Sequence, residues 1–551
     1  MPSTTDSSSN NSNRYLLYAF AMGCSGHQSP GLFSHPQDKS HHYNRLTFWT
    51  DLARLLEKGK FDGLFQADVL GIYDRYGGTG EAAVRSGAQV PLIDPSLTVP
   101  AMASVTRHLS FGITATTSYE HPYTLARRFS TLDHLTNGRV GWNVVTGYLD
   151  SAARQYGARN QELHARRYEV ADEYMDVVYK LWEGSWAEDA VKVDAERKVF
   201  TDPERVKEIN HEGENYQVPG PHICEPSLQR TPVIFQAGSS GPGLAFAGKH
   251  AEVVFIAAHN VQVAKGRVQA ARQAAADAGR DPKSLKVLAL LCPVVGRTDA
   301  EAREKYDDYL AHGSEEGALA LFGGWTGLDL SGYADDEELR TAGGAAAANS
   351  NAIKSAIEGF AQQDPGVQKW TKSAVANLIK VGGLGPTIVG SPETVADELQ
   401  AWVDEAGVDG FNLAYAIAPG TFVDFIELVV PVLQARGKVW ADYPATKEGG
   451  WEGWPEQKVR PEEGEGRQPP AGFGSDEILG LTTREKIYGV GQRHLRDDHY
   501  ARRFTWAKGV KDQPAAVREN RAAGKENGTK KNGSDHDAEA TNGSAAKKRK
   551  V

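Results

Sequence analysis

The stretch HLTNGRVGWNVVTG, residues 134–147, decides the fold. A helical segment ends at Asn137-Gly138, and a short apolar run, VGWNVV, follows and stops at Thr146-Gly147. Gly138 and Gly147 fence the run as turn residues fence a buried parallel strand. Inside it lies Asn143, whose amide must find partners or cost free energy when buried. A polar side chain near the end of a parallel strand is where an α/β protein keeps its chemistry.

Working outward, the same grammar repeats. Apolar runs at 15–20, 61–68, 111–118, 231–238, 252–258, 285–296 and 409–415 read as further strands. Between them lie helical patterns at 46–59, 97–107, 123–135, 164–184, 243–250, 261–279, 299–313, 391–407 and 422–437. The helix at 391 opens with an N-cap Ser and a Pro at its first position. Strands alternating with helices make a parallel sheet. Eight such units predict an α/β protein with a (β/α)8 TIM barrel, the alternative being an open doubly wound sheet. The expected organisation is a disordered Ser/Asn-rich tail at 1–13 and a barrel at 14–437 with insertions at 185–230 and 314–390. A C-terminal extension at 438–515 follows, with a helical stretch near 481–507, and then a disordered tail at 516–551. The second insertion carries the Gly/Ala run GGAAAANS at 343–350. The tail ends in the basic cluster KKRK, 547–550, either a solubilising end or a nuclear-import signal.

Bulk properties exclude several classes. Hydrophobic residues make up 40% of the 551, enough for a large core, and the formal net charge of −10 argues against nucleic acid as a partner. The three cysteines, Cys24, Cys224 and Cys292, are far apart, so neither a disulfide framework nor a zinc site is expected. No apolar run is long enough for a membrane span and no secretory leader opens the chain. A reducing, cytoplasmic setting is the expectation.

In a barrel the C-terminal strand ends face the site. The first strand is followed by GCSGHQSPGLFSHP, with His27 and His35, and the second ends in Asp68. The third holds Thr114, Thr116 and Thr117, and the fourth holds Asn143 and Thr146. The fifth ends in GSSGPG, 238–243, the sixth in His259-Asn260, and the eighth holds Asn412 and Tyr415. The GSSGPG turn before a helix offers backbone N–H groups and hydroxyls to a phosphate; Ser239 and Ser240 could equally be N-caps. His164 and Tyr168, four apart at a helix start, share one face that either closes on a phosphate or is plain surface beside Arg166 and Arg167. Asp68 is a general base or a turn cap. No Ser-His-Asp set and no metal-ligand spacing emerges, and the adjacent pair His41-His42 would diverge on a helix, so no metal is expected.

Together GHQSPGLFSHP (26–36), FDGLFQAD (61–68), TATTSYEHPYTLARRFSTLDHLTNGRVGWNVVTG (114–147), HARRYEVADEYMDVVYKLWEG (164–184), PVIFQAGSSGPGLAFAGKHAEVVF (232–255) and VGSPETVADEL (389–399) resemble the luciferase-like, flavin-dependent monooxygenases, in particular their nitrilotriacetate and dibenzothiophene-sulfone branch. The resemblance runs over residues 14–437. It implies a (β/α)8 barrel that takes reduced FMN (FMNH2) from a separate NAD(P)H:flavin reductase. O2 is then the co-substrate, a flavin C4a-hydroperoxide oxygenates a small organic molecule, and NAD(P)H acts only through the reductase. It further implies a homo-oligomer, a dimer or tetramer, with no membrane partner. Carried over by residue, Asp68, Thr114 and Asn143 line the isoalloxazine, and His164, Tyr168, Ser239 and Ser240 hold the phosphate. His27 sits at the reactive edge as the catalytic candidate, or is a loop histidine that shapes the entrance. Barrel phosphate sites usually follow strands seven and eight; here the Gly/Ser turn follows the fifth. Two rivals remain: a deazaflavin-dependent oxidoreductase that transfers hydride without oxygen, and a non-catalytic flavin-binding or nuclear protein suggested by KKRK.

Overall fold

The computed structural model describes residues 14–238, 240–339, 357, 360, 366–444 and 480–509. The 1–13 tail, Ser239, the GGAAAANS run and the 516–551 tail with KKRK lie outside the described residues. The described residues up to Trp506 form one compact unit, and 507–509 fall outside it.

Eight parallel strands close on themselves. They are β1 (Leu16–Met22), β2 (Gly63–Ala67), β3 (Ser110–Thr116), β4 (Val140–Val145), β5 (Val233–Gln236), β6 (Val253–Ile256), β7 (Lys286–Val295) and β8 (Gly410–Leu413). Each pairs with the next, and β8 returns to β1 through Leu16 beside Gly410. With helices between them this is a (β/α)8 TIM barrel, as the alternation implies.

Alternation along β4 sorts its side chains. Trp142 faces the helices, packing on Phe129, Tyr174 and Trp182, and its Nε1 donates to Ala115 O at 2.9 Å. Inside, Tyr18, Phe65, Phe235 and Phe255 fill the barrel with Leu288. Gly112 and Gly141 make room for them: a Cβ on Gly141 would collide with the Phe235 ring, and one on Gly112 would lie 2.9 Å from that of Phe65.

Where the elements differ from expectation, the reasons are local. β7 is ten residues long, and its barrel neighbours occupy only Lys286 to Leu291. Its far half, from Cys292, has open backbone groups that pair in parallel with a ninth strand, Thr387–Gly390. That strand sits inside the expected insertion at 314–390. The other expected insertion, 185–230, holds two small antiparallel ribbons, Val191–Asp194 with Val199–Thr201 and His211–Glu212 with Gln217–Val218. The helix expected over 97–107 is only Val99–Ser104. The one expected over 164–184 is α-helical to Tyr179 and finishes in a π-type turn, Lys180–Gly184.

The expected helix near 481–507 breaks into a short helix, Thr483–Tyr488, a 3-10 turn, Tyr500–Phe504, and the helical turn Trp506–Gly509. Thr482 and Glu485 form a capping box at the first. Its charged residues are buried rather than solvated. Arg484 pairs with Glu252 at 2.7 Å. Lys486 donates to Asp62 O at 3.1 Å and Ser110 Oγ at 2.8 Å, and also to His108 O. Thr483 N donates to Gly138 O, and Tyr488 OH donates to Ser284 O at 2.7 Å. These partners all stand at the N-terminal ends of barrel strands or just before them. The segment is the floor of the barrel, and Ile487 joins the interior aromatic cluster from below.

Candidate functional site

At the opposite, C-terminal strand ends lies a cavity of about 420 Å³. Asp68, Thr114, His164, Tyr168 and Ser240 all line it, brought together from β2, β3, the fourth helix of the barrel, His164–Tyr179, and the turn after β5. Asn143 and His27 are not on its lining.

The β3–β4 register sets Thr114 beside Asn143, and Asn143 Nδ2 donates to Thr114 Oγ1 at 2.8 Å. Asn143 is buried, and its Oδ1 has no partner among the described residues. One step on, the β4–β5 register sets Val144 beside Gln236. Gln236 is also buried, lines the cavity and has an unpartnered Oε1. Two orphaned amide oxygens are costly unless a donor meets them. A heterocycle bearing ring N–H groups supplies such donors. Asp68 completes this end: burial first, and then the Asp94 carboxylate, push its carboxyl up to about 7.

The other end is built for an anion. Ser240 caps the helix Gly241–His250, its Oγ accepting from Gly243 N at 3.2 Å. The same oxygen is 3.3 Å from His164 Nε2, and the His164 and Tyr168 rings meet edge to face at 5.2 Å. Burial raises the pKa of the Tyr168 hydroxyl, and the Arg167 guanidinium nearby pulls it back in part. Arg167 adds the cation. It lines the cavity, its Nη1 donates to Glu162 O at 2.7 Å, and its Nε has no partner among the described residues. Arg166, its neighbour in sequence, turns away to Glu169 and Glu214. A helix N-terminus, a guanidinium, an imidazole and two hydroxyls together suit a phosphate. Gly147, at φ +69°, turns the chain beneath Tyr119, another lining residue.

His27 is 1% exposed. It sits edge-on to Phe20 at 4.3 Å and 6.0 Å from the Tyr415 ring. Burial lowers its pKa to about 3, so the imidazole is neutral at physiological pH. Gln89 Nε2 donates to the His27 carbonyl at 2.7 Å, which ties down the backbone of the loop.

Reasoning from sequence missed Arg167, Gln236 and Tyr119. Gln236 was findable, as a polar residue closing the apolar run TPVIFQ. Nothing in the linear string separates Arg167 from Arg166.

The residues from 27 to 410 match the family model for luciferase-like monooxygenases. Dimethyl-sulfide monooxygenase of Hyphomicrobium sulfonivorans is 50% identical over 430 residues, 78% of this chain and 88% of that protein. The crystal structure of DmoA from that organism superposes with a TM-score of 0.79 at 45% identity, over 92% of this chain and 98% of that one. Long-chain alkane monooxygenase of Geobacillus thermodenitrificans (strain NG80-2) is 46% identical over 488 residues, 89% of this chain and 97% of that protein. A riboflavin lyase crystallised with modified FMN and riboflavin superposes with a TM-score of 0.73 at 30% identity, over 89% of this chain and 99% of that one. No helix among the described residues is long and apolar enough to cross a membrane. The chain belongs to the luciferase-like monooxygenase family and is a flavin-dependent monooxygenase.

Proposed function

We propose that this chain takes reduced FMN from a separate NAD(P)H-dependent flavin reductase and uses O2 to oxygenate a small, uncharged organic molecule. One observation carries the reading: a single cavity gathers the anion-binding groups Arg167, Tyr168, His164 and Ser240 with the unpartnered Gln236 amide oxygen, and Asn143, whose Oδ1 is also unpartnered, is buried directly behind its Thr114 wall. Arg167, Tyr168, His164, Ser240 and the helix N-terminus would hold the phosphate; Ser239 is kept as a further candidate. Asn143 and Gln236 would accept ring N–H bonds, with Thr114 fixing the Asn143 amide. Bound there, reduced flavin supplies the two electrons that let one atom of O2 go to substrate and the other to water.

The protein's own part is to position and to keep water out. Asp68, held near neutrality, is able to take or return a proton at the ring end. His27, neutral and buried behind the lining, would donate its unpartnered Nδ1–H toward a developing anion without bringing charge of its own. The uncharged substrate follows from the remaining wall: Val69, Leu70, Leu149 and Ala152 are apolar, and the single cation of the lining, apart from histidine, belongs to the phosphate end. The names of the dimethyl-sulfide and long-chain alkane relatives agree with that class.

The test is anaerobic titration with FMNH2, followed by turnover with NADH in the presence and absence of an added flavin reductase. Oxygenation that requires the reductase is expected. Turnover of NADH by the purified chain alone would overturn the two-component reading, and failure to bind FMNH2 would overturn the cofactor assignment.

A further inference from the structure

His35 was noted among the strand-end residues, and the flavin site has no use for it. The fold brings it to Asp308 and His312, over 270 residues further on. Asp308 and His312 stand four apart on the helix Asp299–His312, so they share a face. His35 Nε2 is 2.9 Å from Asp308 Oδ2, and His312 Nδ1 is 3.4 Å from Asp308 Oδ1. One ligand atom from each of the three residues lies within 4.8 Å of the other two. The histidine rings stand 5.0 Å apart, centroid to centroid.

We propose that His35, Asp308 and His312 form a binding site for a divalent transition ion of the zinc type, separate from the flavin cavity. Two imidazoles and one carboxylate are zinc-class donors, unlike the all-oxygen sets that hold magnesium or calcium. Tetrahedral bonds of this length place ligand atoms about 3.3 Å apart. The two Asp308 contacts use its two different oxygens, and one atom from each residue lies within 4.8 Å of the other two, so side-chain rotations that move ligand atoms by on the order of an ångström close the site. His35 is 6% exposed while the Asp308 side chain is 52% exposed. One ligand is therefore pre-set by packing, and a solvent path remains for the ion and for a fourth, water ligand.

The protons balance on both histidines: His312 Nδ1 donates to Asp308 O at 2.9 Å, so ligation through Nδ1 moves that proton to the partly exposed Nε2 side and gives up this bond. His35 Nδ1 accepts from Gln37 N at 3.2 Å, so its Nε2 carries the proton and donates to Asp308. Ligation through Nε2 moves that proton to Nδ1, leaving the imidazole neutral, and hands the Gln37 N–H to water at the surface, where Gln37 is exposed. Breaking that contact makes the site weaker than a closed structural zinc site.

The position gives the ion a consequence. His35 ends the loop that carries His27, and the same loop is already tied to this region by Ser34 Oγ to His312 O at 3.3 Å and Ser314 N to Pro30 O at 2.9 Å. An ion here would brace that loop from outside the cavity.

The test is calorimetric titration of the full chain with Zn2+, alongside His312→Ala and Asp308→Asn. Both positions are at least partly exposed on a helix, so both variants should fold. Co2+ titration, read by its visible ligand-field bands, reports the donor geometry independently. The expected result is one saturable Zn2+ site that weakens about tenfold or more in each variant, with tetrahedral Co2+ bands that vanish in His312→Ala and FMNH2 binding unchanged throughout. Absence of saturable Zn2+ binding would overturn the proposal. So would isotherms in both variants that match the parent chain, because the ion would then be bound elsewhere.

Discussion

Replacing Arg484 by Met tests whether the floor segment is integral to the barrel. Arg484 is fully buried. Its Nε and Nη2 donate to the two carboxylate oxygens of Glu252 at 2.7 and 2.9 Å. Nη2 also reaches Thr231 O at 2.9 Å, and Nη1 reaches Arg493 O at 2.7 Å. Burial pushes the Glu252 carboxyl up, but the Arg484 guanidinium more than offsets this and holds it below the usual range. Arg484→Met fills similar volume but leaves the buried Glu252 carboxylate without its cation and takes the guanidinium donor from the carbonyls of Gln229, Thr231 and Arg493, an expected loss of about 3–5 kcal/mol. Adding Glu252→Gln should recover about half of it, because the neutral amide still accepts from Ile234 N, a bond of 3.1 Å in the parent chain. The assay is urea unfolding followed by tryptophan fluorescence, comparing midpoints at unchanged slope. If the single substitution costs under about 1 kcal/mol, or the double variant loses the sum of the two single losses, the pair is not the buried, coupled unit described here.

Three further outcomes bear on the site. Tyr168→Phe removes a charge-assisted hydrogen bond of about 1.5–3 kcal/mol, so the Kd for FMNH2 should rise roughly ten- to hundredfold while the melting temperature is little changed; an unaltered Kd would place the phosphate elsewhere. Asp68 has its folded-state pKa raised to about 7, so the folded chain binds this proton more tightly than the unfolded one. Its contribution to stability is therefore fully present at acid pH, below the unfolded carboxylate value, and falls as pH rises toward 7. Asp68→Asn should remove that slope and the matching inflection in kcat/KM, and a profile that keeps its inflection would absolve the carboxyl. Gly147 has φ +69°, and a Cβ there would lie 2.7 Å from Gln161 Nε2. Gly147→Ala should cost about 1–2 kcal/mol and weaken FMNH2 binding by displacing Tyr119, which donates to Gln161 Oε1 at 2.8 Å; wild-type melting and affinity would show the turn to be tolerant.

The barrel strands were legible because each is an apolar run bounded by turn residues, and burial on both faces writes itself into composition. The fifth-strand turn was legible for the same reason, since glycine and serine before a helix have few other uses. What escaped reading depends on contacts between distant segments. Thr387–Gly390 is a strand because β7 overruns the barrel and offers it a partner. Arg167 rather than Arg166 reaches the cavity because of where the fourth helix is rotated, and one residue is about 100° of that rotation. The burial of the floor helix, though not its helicity, was hidden by its own charge: Arg484, Glu485 and Lys486 look like a solvated face until Glu252, Thr482 and Asp62 are seen waiting for them. The cluster at His35 escaped for the plainest reason, because its members are separated by most of the barrel.

The floor also orders events during synthesis. Glu252 stands 232 residues ahead of Arg484 in the chain. At about 5–20 residues per second, a ribosome needs roughly 10–50 s to deliver that counter-ion after the sixth strand has been made. Once residue 413 has been made every barrel strand can exist while the carboxylate beneath β6 still has no mate, and Arg14 still lacks the Lys486 carbonyl to which it donates at 3.0 Å. The barrel is thus sealed from below by the last described segment to be translated. A transcript cut short before residue 480 would yield all eight strands with an open base, a species whose exposed core is a ready substrate for chaperones and proteases.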